Sequence, residues 1–163
     1  MNGEYNRLLQ NCKYELDDIL SWINKNPADG KVKYLVSYAV IKASGTVEVV
    51  YKTIIYDYLS EGASAETTKY LETEILDSSS NPKTGNIEQL LQKLNQNWRN
   101  KFQTRCKELP QMKSDLNSLV QCRNDFSHGG NITQSIQTII KYFTSAIKIL
   151  EILYDVIHEQ NEA

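Results

Sequence analysis

The residues best equipped for chemistry in this chain fall in one stretch, Leu119-Val120-Gln121-Cys122-Arg123-Asn124-Asp125-Phe126-Ser127-His128-Gly129-Gly130. His128, one of only two histidines, follows Arg123 by five positions. An imidazole, whose ordinary pKa is about 6.5, can take a proton near neutral pH and return one. A guanidinium is always charged and can hold two oxygens of a phosphate at once. Together they supply what metal-free RNA cleavage needs: a group to take the proton of the attacking 2′-hydroxyl, a group to protonate the leaving oxygen, and positive charge for the oxygens on phosphorus. On an ideal helix, five steps turn about 500°, which leaves the two side chains about 140° apart. They converge only if the helix tightens or frays before Gly129, or if two copies of the segment meet.

Asn124 can bind substrate or orient His128. Asp125 and Ser127 formally complete a Ser-His-Asp set, but no nucleophile elbow or oxyanion loop accompanies them, and Ser127 reads as a residue that caps the helix end. Cys122 lies in an apolar pattern and reads as a core thiol. No His or Cys spacing suits a metal, so neither metal nor cofactor is expected. Glu48 interrupts an apolar run; it either pairs with Arg123 or His128 or is an ordinary surface carboxylate. Arg99, Lys101, Arg105 and Lys107 form a local basic cluster, either a solvated helix face or a set of RNA phosphate contacts.

The elements that must position these groups read as helices. Tyr5, Leu8, Leu9, Cys12, Leu16, Ile19, Leu20 and Ile23 recur at three- and four-residue steps, predicting a helix over 4–24 that stops at Asn26-Pro27. Residues 31–60 are apolar all round, which predicts the most buried helix, with the small residues Ala43-Ser44-Gly45 at a close helix crossing. A short polar helix is expected over 64–76, then a turn-rich loop to Gly85. A helix starting at Asn86 continues through Trp98 and Phe102, and another starts at Pro110 and ends at Gly129-Gly130. The last, over 134–159 with Thr133 as its cap, repeats Ile136, Phe143, Leu150 and Ile157 at seven-residue steps. The expectation is an all-α antiparallel bundle of five to six helices, in one domain over 1–163.

At 163 residues and 40% hydrophobic, the chain has the profile of an ordinary folded domain. Its net charge of −2 provides no global field to attract nucleic acid, so any RNA contact must be local. The polar N-terminus, the lack of a membrane-length apolar run and an odd number of unpaired cysteines together predict a cytoplasmic protein not bound to membrane.

The Arg-x4-His spacing, with Asn124 directly after the arginine, resembles the HEPN superfamily. The longer pattern is similar to its RiboL-PSP-type members: the buried small-residue segment 42–48, the stretch Asn97-Trp98-Arg99-Asn100-Lys101-Phe102, then the Arg–His segment before a long final helix. The resemblance covers most of the chain. It implies that Arg123 and His128 are a catalytic pair with Asn124 as an accessory polar residue. It also implies a homodimer whose two motifs face each other in one cleft, and a metal-independent endoribonuclease of the toxin–antitoxin or phage-defence type, subject to an antitoxin or other regulatory protein. The alternative is a catalytically silent HEPN-like module that binds a partner protein or a nucleotide.

Overall fold

The computed structural model describes Met1 and residues 3–159. Among the described residues there are seven α-helices and no strand: α1 (Gly3–Lys25), α2 (Val32–Ser60), α3 (Ala65–Leu71, continued by a π-helical turn Glu72–Leu76), α4 (Thr84–Leu94), α5 (Gln96–Glu108), α6 (Pro110–Ser127) and α7 (Ile136–His158). Among the described residues, no helix is long and apolar enough to cross a membrane.

Most boundaries follow local chemistry. Tyr5, Leu9, Cys12, Leu16, Ile19 and Ile23 are the buried face of α1, the stripe read from the sequence. Ser64 caps α3 by accepting from the Thr67 N–H, and Pro110 occupies the first turn of α6. Other boundaries differ from expectation. The helix expected from Asn86 to beyond Phe102 is two helices, which raises the count from six to seven. Asn95 breaks it: its backbone is extended, and its side chain accepts from the N–H groups of Asn97 and Trp98. A good N-cap within an apolar-periodic stretch thus starts a new helix. Asn86 is not the cap of α4. Its amide reaches back to Asn81, and α4 begins at Thr84, whose N–H donates to the Asn117 side chain at 3.0 Å. The cap of α7 is Ser135, which accepts from Thr138, rather than Thr133.

α7 is the hub and packs against α1, α2, α5 and α6. Tyr58 near the end of α2 meets His158 at the end of α7, so these two helices run the same way. α1 runs opposite to α2, with Tyr5 bonded to Asp57 and Glu15 paired with Lys42. α6 reaches α7 through only eight residues, 128–135, and runs back along it. One buried polar group sets that pairing. Asp115 on α6 is 2% exposed and accepts from Ser145 of α7 at 2.8 Å and from Gln111 at 2.7 Å, with Lys141 of α7 at 3.4 Å. A buried carboxylate so satisfied holds one register of α6 on α7.

α2 is buried along Val36, Ala39, Val40, Ala43, Val47 and Val50, yet its other side exposes Tyr34, Tyr38, Ile41 and Val49. Ala43 and Ser44 face the core as expected of a close crossing, but Gly45 does not: a Cβ there would meet no atom within 4 Å.

Candidate functional site

The Arg–His segment forms the last turns of α6 and its exit. Leu116, Leu119, Val120 and Cys122 are buried and hold the helix on the core up to the motif. Two glycines then end it, each for its own reason. Gly129 has φ +83, a left-handed conformation that side chains resist. Its N–H donates to Phe126 O at 3.0 Å, and that of Gly130 donates to Asp125 O at 2.8 Å. This pair of bonds is a Schellman termination. At Gly130 the constraint is space, since a Cβ would stand 2.8 Å from the Asp125 carbonyl oxygen.

His128 is therefore the residue that closes the helix, with φ −97 and ψ 17, and its side chain is exposed. Its N–H is shared between Asn124 O at 3.1 Å and Asp125 O at 3.2 Å, so the α-helical bond persists up to the histidine while the last turn begins to tighten. The helix does not fray before Gly129, and five ideal helical steps put Arg123 and His128 about 140° apart around its axis. Arg123 is half-buried and its Nη1 reaches Asn124 Oδ1 at 3.4 Å. Among the described residues it has no carboxylate partner. A guanidinium without a carboxylate partner can bind an anion such as a phosphodiester, and an exposed imidazole can exchange protons with it.

The neighbouring positions take up supporting roles. Ser127 Oγ donates to Arg123 O at 2.8 Å, which closes the last helical turn. Asp125 accepts from Gln121 at 2.7 Å. Cys122 is buried, and burial, with the nearby charge of Asp125 second, pushes its thiol pKa up and keeps it protonated. Glu48 does not pair with Arg123 or His128. Its carboxylate is 2.7 Å from Lys52 Nζ one helical turn on, and this buried ammonium also donates to Leu76 O and Ser78 O. The apolar surroundings that made Glu48 conspicuous are those of Lys52, whose charge it balances.

The basic cluster stands apart from the motif. Lys101 and Arg105 both pair with Glu159, just past the end of α7, whereas Arg123 lies by the start of α7. Over the 23 residues of α7 that separation is about 33 Å. Arg99 contacts Asn100, and Lys107 is exposed. The contact that sequence reading missed is Lys83, in the loop before α4. Its Nζ donates to Gln121 Oε1 at 2.7 Å, two positions before Arg123. A separation of 38 positions left no periodicity by which to find it.

The described residues form an all-helical domain with the Arg–His segment at the end of its penultimate helix. The RiboL-PSP-HEPN family pattern matches residues 4–159, and the chain belongs to that family. Neither a curated protein nor a solved structure matches it.

Proposed function

We propose that this protein is a metal-independent endoribonuclease whose working site is composite, with Arg123 and His128 contributed by two copies of the chain. His128 takes the proton of a ribose 2′-hydroxyl, and that oxygen attacks the adjacent phosphorus. The bond to the 5′-oxygen breaks, and this oxygen leaves with the proton that the same imidazole returns. The products are a 2′,3′-cyclic phosphate and a 5′-hydroxyl, with no net proton change. Arg123 balances the charge on the non-bridging oxygens, and Asn124, bonded to it, holds the guanidinium or a substrate oxygen.

The observation that carries this reading is the helix exit itself. It presents a guanidinium with no carboxylate partner among the described residues and an exposed imidazole, which five helical steps set about 140° apart. Two such ends facing each other bring the arginine of one copy to the histidine of the other, which supports a homodimer. The test is incubation of wild type, Arg123→Ala and His128→Ala with total cellular RNA in EDTA. Cleavage by wild type alone is expected, and cleavage retained by His128→Ala with folding intact overturns the assignment. A cytoplasmic effector of the toxin–antitoxin or phage-defence type, restrained by a regulatory protein, is the setting proposed for it.

A second reading rests on the same angle. Within one copy Arg123 bonds to Asn124 and not to His128, which favours a silent module that binds a nucleotide or a partner protein. RNA binding without cleavage by wild type would select it.

A further inference from the structure

We infer that Lys83 is a phosphate-binding residue of the Arg123–His128 site, holding the RNA strand at a phosphate beside the scissile one. The inference rests on the ribonuclease reading above and extends it to a residue outside the motif.

The helix register gives the first argument. Gln121 and His128 are seven positions apart, about 700° of turn, so they lie within about 20° of one line on α6 and about 10 Å apart along it. Asp125 lies near the same line. Arg123 points elsewhere, so within one copy the histidine's own face of α6 carries no cation of the motif. Lys83 supplies one, because its ammonium sits on Gln121 at 2.7 Å.

The second argument is how the charge is kept free. The Gln121 amide accepts from Lys83 through its oxygen and donates to Asp125 through its nitrogen, at 2.7 Å each. A neutral side chain thus links the ammonium to the Asp125 carboxylate. Among the described residues Lys83 has no ion-pair partner, whereas Lys42, Lys52, Lys101, Arg105 and Lys113 each have one.

The third is the mounting. The Lys83 carbonyl accepts from the N–H groups of Asn86 and Ile87, and its own N–H donates to Asn81 Oδ1. Thr84 next to it is tied to Asn117 of α6, while Ser78 and Ser80 are held by Lys52 and Tyr51 of α2. A cation on an anchored backbone loses little conformational freedom when it meets its ligand. Because Gln121 lies about 10 Å along α6 from His128, Lys83 is assigned to a phosphate beside the scissile one.

The test is binding of a fully 2′-O-methylated RNA oligonucleotide, which cannot be cleaved, to wild type, Lys83→Gln, Lys83→Arg and a control Lys13→Ala, by fluorescence anisotropy over a salt series. Lys83→Gln keeps a donor for Gln121 and removes only the charge. It should bind several-fold more weakly, with a slope of log affinity against log salt shallower by about 0.7, the value for one single-strand phosphate. Lys83→Arg and Lys13→Ala should match wild type. Equal affinity and slope in Lys83→Gln overturn the inference while leaving the ribonuclease reading intact, provided that wild type still cleaves unmodified RNA in EDTA. Wild type that neither binds nor cleaves overturns both.

Discussion

The backbone N–H of Gly130 donates to the carbonyl of Asp125 at 2.8 Å, and this approach holds only because Gly130 has no side chain. A Cβ on Gly130 would strike that oxygen, and a Cβ on Gly129 would have to adopt φ +83. Gly129→Ala should therefore cost about 1–2 kcal/mol in chemical denaturation, with Gly129→Asn milder. Gly130→Ala should open the Schellman turn, and any RNA cleavage should fall more than stability does, because His128 closes the same turn. Unchanged cleavage in Gly130→Ala would show that this geometry is not required.

Mixing variants decides whether the site is composite. Arg123→Ala and His128→Ala are each expected to be inactive, yet a heterodimer of the two retains one site with the arginine of one copy and the histidine of the other. Random exchange of equal amounts should restore roughly a quarter of wild-type activity, since half the dimers are mixed and each carries one of two sites. No recovery in a mixture that demonstrably exchanges subunits would place both residues of each site in a single copy.

Asp115 should behave as a structural carboxylate. Asp115→Ala leaves Ser145 and Gln111 without their acceptor, a loss of about 2–4 kcal/mol for hydrogen bonds to a buried charge. The double variant with Ser145→Ala should lose less than the sum of the single losses, because the two groups share one bond. A fully additive result in denaturant melts would show that the bond contributes nothing.

The cysteines give a pH prediction. Burial pushes the Cys106 thiol from its ordinary value of 9.0 up to about 12, and Cys12 and Cys122 are raised for the same reason. Folding thus favours the protonated thiol. The stabilisation is intact below pH 9 and is lost as pH rises toward 12, by at most about 1.4 kcal/mol per unit. Cys106→Ala should flatten that alkaline decline. Native protein at pH 8 should react with a thiol reagent only as fast as it unfolds, and rapid labelling of Cys106 would contradict its burial.

Much of the fold could be read from the residues because it is local. The α1 stripe, the proline start of α6 and the double-glycine stop depend on spacing and on backbone preferences that act within a turn or two. Where two local signals competed, reading failed. Asn95 and Asn86 have the same capping chemistry, but only Asn95 starts a helix, since Thr84 already has its N–H bound by Asn117 of a distant helix. Ser135 takes the cap expected of Thr133 for the same kind of reason, the place where α7 meets the core.

The candidate site divides along the same line. The sequence by itself determined the site's residue types, their 140° separation on a regular helix and the glycines that end it, because these follow from helix geometry and from what a Cβ permits. Only the tertiary structure decided which charges are free. It pairs Glu48 with buried Lys52, joins Lys101 and Arg105 to Glu159 far from the motif, and brings Lys83 to Gln121 across a separation of 38 positions. Charge pairing depends on distance in space, and the packing of α2, α6 and α7 sets that distance.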